Sequence, residues 1–230
     1  MQPYIFPYLG YFQLVNAVDT FVFYDDVTYI KGGWVNRNNI LVNKQKKLFT
    51  IPIEKQSSNK LICETFINIK LYDKWKSKFL RSLEQSYRKS PNFEEIFQLV
   101  NDLLSVSNYS MSQLAIKSVV SVSRYLDLQV DFEASHHTLS DSSHLRAQER
   151  VMDMVMKKNA KIYINAIGGQ ELYSKDDFKK EEIDLFFLKA SLPEYPQFSD
   201  AFVPGLSIID VLMMNSKAEV KAMLNQYELI

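Results

Sequence analysis

Lys161-Ile162-Tyr163-Ile164-Asn165-Ala166-Ile167-Gly168-Gly169-Gln170-Glu171-Leu172-Tyr173 is the stretch whose reading decides the fold. Residues 161–165 are rich in β-branched and aromatic side chains, which predicts a strand, and two glycines follow where such a strand turns toward a helix. Working outward, a helical pattern at 145–158 precedes the strand, a polar helix at 174–180 and a strand at 185–188 follow it, and a further strand is expected at 130–134. Strands that alternate with helices pair in parallel through helical crossovers. The expectation is an α/β chain with a mostly parallel sheet and flanking helices.

The N-terminal half adds different elements. A short helical pattern (Phe12, Leu14, Val15, Val18) feeds a β-branched and aromatic strand at 20–24. Segments 39–42 and 48–53 flank a lysine-rich run, Lys44-Gln45-Lys46-Lys47, read as a solvated loop tip, and predict a hairpin with Pro52 at an edge. Another strand is expected at 64–69. From Asp73 the period lengthens: Trp75, Phe79, Leu83 and Tyr87 repeat at helical spacing, Pro91 interrupts, and Phe93, Ile96, Val100 and Leu104 resume it. Ser110 is placed to cap a third helix through Leu114, Val119, Val122 and Leu126. This predicts a helical insertion at about 73–127. After a loop at 193–204, helical segments close the chain at 206–214 and 219–224. The simplest division is one domain over residues 1–230.

Composition narrows the function classes. The chain has 230 residues, 47% hydrophobic and 23% charged, with twenty-seven basic and twenty-seven acidic side chains. A neutral balance gives no long-range attraction for nucleic acid or an anionic membrane. No run approaches about 18 apolar residues, so no membrane span is expected. The single cysteine, Cys63, cannot form an internal disulfide, and a cytoplasmic location is expected.

Candidate chemistry concentrates at the N-terminal end. Two prolines, a glycine and several aromatic residues precede the first helix without a clean period, as in the wall of a ligand site; Gln2, Tyr4, Tyr8, Tyr11 and Gln13 are candidate substrate contacts there. Asp25 and Asp26 follow the strand at 20–24, where α/β sheets place ligands. They are the candidate catalytic residues, although a turn cap beside a solvated carboxylate explains them equally. Side-chain alternation points them to opposite faces unless the strand has ended.

Trp34, Asn36, Arg37 and Asn38, after Gly32-Gly33, suit a phosphorylated or sugar-bearing ligand: amides bond hydroxyls and an arginine fork grips phosphate. A plain β-turn is the competing reading. Gly168 and Gly169, beside Asn165, offer backbone N–H groups to an anion or form a tight turn. Arg146 and Arg150 lie four apart at a helix start, with Gln148 between them, a geometry fit for a diphosphate or for surface ion pairs. His136 and His137, adjacent on an expected strand, point apart, and with His144 they make no metal site. No nucleophile elbow is present, and no cofactor is specified.

These blocks resemble the WbqC-like protein family over nearly the whole chain. Its QPYxFPYxGYxQL and FVxYDDVxYxKxGWxNRN patterns are met at residues 2–14 and 21–38. Its LKxQxR-like helix start is met at 145–150, YINxxGGxELY at 163–173 and LSIIDxLM at 206–213. Departures are Thr28 where glutamine is common, Arg146 for a frequent lysine, and Met1-Gln2-Pro3 where relatives carry further apolar residues, which implies a shortened first strand or another start codon.

The resemblance implies a role in O-antigen or other surface-polysaccharide biosynthesis: transfer of a glycyl or related acyl group to the amino group of a 4-amino-4,6-dideoxy sugar, probable acceptor forms being nucleotide-linked. Asp25 or Asp26 would bind or deprotonate the amine, Arg37 hold phosphate, and Asn36 and Asn38 face hydroxyls or the oxyanion. The partners would be an amino sugar or nucleotide sugar and an activated acyl or aminoacyl donor of open identity, with self-association also open. A non-catalytic sugar-nucleotide-binding protein of an assembly complex is the alternative. A weaker similarity to nucleotidylyltransferase-type enzymes implies a Rossmann-like sheet, but Tyr11 stands where those carry histidine.

Overall fold

In a computed structural model, residues 1–54, 60–105 and 110–230 are described. The chain is mixed α/β. Helix α1 (Leu9–Asn16) leads to β1 (Thr20–Phe23), then to a hairpin of β2 (Arg37–Val42) and β3 (Gln45–Thr50). Three helices follow: α2 (Ile69–Tyr87), α3 (Phe93–Leu104) and α4 (Met111–Tyr125). The last third runs β4 (Asp131–Ala134), α5 (Ser135–Thr138), α6 (Ala147–Lys157), β5 (Ile162–Ala166), α7 (Lys175–Lys180) and β6 (Asp184–Ala190). It closes with α8 (Ile208–Met214), α9 (Lys217–Leu224) and β7 (Tyr227–Leu229).

The described strands form three small sheets where one mostly parallel sheet was expected. β1 and β4 pair in parallel, Thr20 opposite Asp131 through Phe23 opposite Ala134. β5 and β6 also pair in parallel, and β7, which the sequence pattern did not disclose, adds antiparallel to β6 over three residues. The second edge of β1 is met by a single residue: the Met1 amine donates to the Val22 carbonyl at 2.9 Å, and Tyr24 N–H donates to the Met1 carbonyl at 2.8 Å.

Local rules account for most boundaries. The Ser110 hydroxyl accepts from Gln113 N–H while the Gln113 side chain accepts from Ser110 N–H, a capping box that starts α4. Ser216 and Glu219 repeat the device at α9. The hairpin turns on Asn43 and Lys44, both at positive φ (51° and 65°), as a two-residue primed turn requires. The lysine-rich loop tip is thus confined to Lys44; Gln45, Lys46 and Lys47 belong to β3. The expected strand at 64–69 is absent. Among the described residues its backbone pairs one residue at a time, through isolated bridges Ile53 to Ile67 and Phe66 to Ser110. The expected helical insertion is present as α2, α3 and α4, with residues 106–109 of that segment outside the described residues.

One large core holds Phe12, Phe23, Ile51, Leu83, Val119 and Leu212, and a smaller one forms around Val155, Phe178 and Phe187. α1 lies so close to the end of β6 that a Cβ on Gly10 would sit 2.7 Å from the Ala190 methyl, which only glycine permits. No helix among the described residues is long and apolar enough to cross a membrane.

A buried polar node ties hairpin, helical segment and C-terminal helices together. Asp210 of α8 accepts from Tyr87 at 2.7 Å, Tyr195 at 2.8 Å and Gln197 at 3.2 Å, while the Tyr87 oxygen accepts from Leu41 N–H at 2.9 Å. Burial pushes the Asp210 carboxyl up, and these three donors oppose the shift. Replacing Tyr87 by Phe keeps the ring but strands the Leu41 N–H and removes a donor from Asp210. We expect a loss of about 1–3 kcal/mol in urea unfolding with an unchanged slope.

Candidate functional site

The carboxyl ends of the parallel strands β1 and β4 lie side by side, and the residues just past each end meet. β1 stops at Phe23, so strand alternation no longer separates Asp25 from Asp26. From the other strand, the chain enters the short helix α5 at Ser135, which carries His136 into the same place. His136 and His137 are therefore on a helical turn, not on a strand as their sequence neighbours suggested, and their rings lie together with centroids 3.7 Å apart.

Asp25 is wholly buried. A buried carboxylate must be met by donors. Ser112 of α4 donates to Asp25 at 2.6 Å and His136 N–H at 3.3 Å, while Ser135 Oγ, 3.4 Å away, gives its proton to the closer Asp26; the His136 ring Nδ1 lies 2.7 Å from Oδ2 as a charge contact without hydrogen-bond alignment. Asp25 N–H in turn donates to Ser135 Oγ at 3.2 Å. The His136 side chain is 27% exposed. The arrangement is an acid–histidine pair with the histidine facing outward.

Asp26 is held separately. Ser135 Oγ donates to it, and Arg150 of α6 makes an ion pair with it. The Arg150 guanidinium also lies 4.8 Å from the centre of the Tyr24 ring. Arg150 is buried while Arg146 is the exposed, extended N-cap of α6, so the two arginines do not share a face. Gln148 accepts from Ser174 N–H at 2.7 Å and donates to Asp177 at 3.0 Å, bridging α6 to the start of α7.

Cys63 sits beside this cluster, its N–H donating to the Asp25 carbonyl at 2.9 Å. Burial, then the nearby charges of Asp25, Glu64 and Asp26, push its thiol up to about 11. It is no thiolate nucleophile at neutral pH.

The amides and several aromatics singled out from the sequence are engaged internally. Asn36 accepts from Tyr29 and donates to the Ile51 carbonyl, each at 2.8 Å; Asn38 donates to the Phe6 carbonyl at 2.7 Å. Gln13 Nε2 reaches the carbonyls of Ser191, Met223 and Gln226 at 2.7–3.0 Å, and Tyr11, fully buried, donates to the Gln2 carbonyl. Gln2, Tyr4 and Tyr8 remain half-buried and accessible. Arg37 differs from its neighbours. It has no carboxylate partner among the described residues, its Nε is buried without an acceptor, and its guanidinium lies 5.5 Å from the ring centre of Trp34, which is 45% exposed. Gly32, at φ 80°, packs against that guanidinium. Trp34 and Arg37 thus offer an aromatic face and a free cation to an anionic ligand.

The glycine pair lies on a 3₁₀ turn, Ile167–Leu172. Gly168 is open to solvent, whereas Gly169 packs on Asn165, leaving 2.6 Å between the amide nitrogen and any added Cβ. Asn165 Oδ1 accepts from Ala166 N–H at 2.8 Å. No group of three metal-ligating side chains occurs among the described residues. Sequence reasoning missed His136, Ser135 and Ser112. The available signal was the position of Ser135-His136 just past a strand predicted to be parallel to the one before Asp25.

The native thiol provides a direct check on the cluster's charge. At pH 9, alkylation of Cys63 by iodoacetamide should run about fiftyfold slower in the folded protein than in urea, because a thiol shifted to about 11 is about one-hundredth ionised there. The native rate should climb about tenfold per pH unit until near 11; equal native and unfolded rates would mean that the thiol is not buried beside these carboxylates.

Comparison with known proteins gives one family and one distant relative. The family model described as the WbqC-like protein family matches residues 2–222. An uncharacterized protein, Rv1507c of Mycobacterium tuberculosis (strain ATCC 25618 / H37Rv), is 27% identical over 210 residues, covering 90% of this chain and 88% of that protein. No solved structure matches.

Proposed function

From the premise that the chain belongs to the WbqC-like protein family, matched over residues 2–222, we propose that it is an N-acyltransferase. Its reaction is transfer of an acyl or aminoacyl group to the amino group of a nucleotide-linked 4-amino-4,6-dideoxy sugar, in the cytoplasm, for surface-polysaccharide (O-antigen) biosynthesis. The single observation that carries this reading is the outward-facing His136 backed by the buried carboxylate of Asp25.

Amide formation needs an uncharged amine, an electrophilic acyl carbonyl and a place for the amine proton. In this reading His136 Nε2 accepts the proton as the amine nitrogen bonds to the carbonyl carbon. The bond from that carbon to the leaving group breaks, and the proton passes from His136 to the leaving group. Asp25, too buried to touch substrate, is the positioning residue: it fixes the ring and stabilises the transient imidazolium. Arg37 and Trp34 are assigned to a phosphate and a ring of the nucleotide sugar. Tyr4, Tyr8 and the exposed backbone at Gly168 are further proposed contacts. The two parallel strand pairs support a Rossmann-like reading, in which ligands occupy the carboxyl ends of strands.

The test starts from thermal midpoints with nucleotide sugars carrying or lacking a 4-amino group, followed by mass spectrometry with thioester and aminoacyl donors. His136→Ala should keep the sugar-induced shift and lose roughly 10²–10⁴-fold in product formation, with partial recovery on adding imidazole. Undiminished product from His136→Ala would remove the assignment. A sugar-induced shift with no product from any donor would make the chain a binding protein of an assembly complex.

A further inference from the structure

The chain is electrically neutral, yet its charge is segregated. Residues 41–90 hold twelve of the twenty-seven Lys and Arg but four of the twenty-seven Asp and Glu. The structure resolves most of this excess into one helix face. α2 is 19 residues long, about 28 Å. Its inner face buries Tyr72, Phe79, Leu83 and Tyr87. Lys70, Lys74, Lys78, Arg81 and Arg88 follow at offsets of four, eight, eleven and eighteen residues, which superimposes them in one row on the opposite, exposed face.

Four of the five cations in the row have no carboxylate within 4 Å among the described residues. Elsewhere on the surface, Lys157, Lys158, Lys161, Lys179, Lys189 and Lys217 each hold a carboxylate within 4 Å. Among the described residues, Lys70, Lys74, Lys78 and Arg81 have no acidic partner, and Arg88 has Glu84 at 3.9 Å. At its C-terminal end the row opens into a cleft of about 530 Å³, lined by three cations, Arg81, Arg88 and Lys89, by one carboxylate, Glu84, and, from the loop before α8, by Phe198.

We propose that this face of α2 binds a single-stranded polynucleotide, its phosphates along the row and one base against Phe198. Unpaired cations lined up along a rod match a phosphodiester backbone, and an aromatic ring in a cleft at the end of such a track is how sequence-tolerant single-strand sites take a base. A membrane surface fits less well. An interfacial helix sinks its apolar face into lipid, whereas the apolar face of α2 is occupied by the protein core. The inference does not rest on the transferase reading, and it concerns a surface formed by α2 and the loop before α8.

The experiment is fluorescence anisotropy of a labelled twenty-nucleotide uridine or adenosine RNA with the full chain. Neutralising about five phosphates predicts a log–log salt slope near −3.5, roughly a hundredfold weaker binding at 200 mM than at 50 mM salt. Lys74→Glu/Lys78→Glu/Arg81→Glu should weaken binding at least a hundredfold with an unchanged circular dichroism spectrum; if that variant misfolds, Lys74→Ala/Lys78→Ala should still lose about tenfold. Phe198→Ala should lose about tenfold with its salt slope preserved, the signature of lost stacking. No binding at 50 mM salt, or binding insensitive to the α2 substitutions, overturns the proposal. So does sedimentation with vesicles of phosphatidylcholine and phosphatidylserine in the absence of RNA binding, which assigns the row to a membrane.

Discussion

The buried carboxylate of Asp25 is the constraint around which the rest is arranged. An ionised carboxyl out of contact with water is tolerated only when donors surround it, and here they come from far along the chain. Ser112 belongs to α4, and Ser135 and His136 to the start of α5. Asp26 adds Arg150 of α6. Two neighbouring side chains thereby tie β1 to the helical segment, to β4 and to the helix that precedes β5. The parallel register of β1 on β4 and the docking of α4 are not independent facts; a shift of either would leave a buried charge short of a partner.

The same constraint explains why the exposed member of the cluster is a histidine. Each serine hydroxyl is already used, Arg150 is buried in its ion pair, and the Cys63 thiol is held protonated by burial first and then by the carboxylates it adjoins. Among the described residues that surround Asp25, the His136 side chain is partly exposed and carries no such constraint. A site of this kind separates support from contact: the acidic groups organise, and the ring faces the ligand side. Chemistry built on it would be proton transfer rather than attack by a protein nucleophile.

Much of the fold was legible because it rests on local rules. The helical period of Trp75, Phe79, Leu83 and Tyr87, the Ser110 cap and the strand before Gly168 all lie in contiguous sequence. What was illegible depended on partners. Among the described residues 64–69 pairs only through isolated bridges, and β7 is a three-residue strand on the edge of β6. Asp25 and Asp26 stood out by position after a strand, but His136 was misjudged from an assumed strand geometry. The amides misled for a physical reason. In an irregular, proline-rich segment the backbone carbonyls cannot satisfy one another, so Gln13, Asn36 and Asn38 are recruited to donate to them. An Asn or Gln beside such a segment serves the backbone as readily as a ligand.

Arg37 escapes that logic. Its neighbours Asn36 and Asn38 are consumed by main-chain groups, yet the guanidinium between them finds no carboxylate and leaves its Nε without an acceptor. Leaving a partly buried cation unpaired costs stability. The surface of α2 shows a related feature on a larger scale, a row of five cations of which Arg88 alone has a carboxylate within 4 Å among the described residues. Both features run against the local pairing that governs Asp25, Asp26 and Asp210, and both are explained if the missing partner is an anion from outside the chain. In a protein of zero net charge, such sites are invisible to any global count and appear only when each charge is followed to its partner.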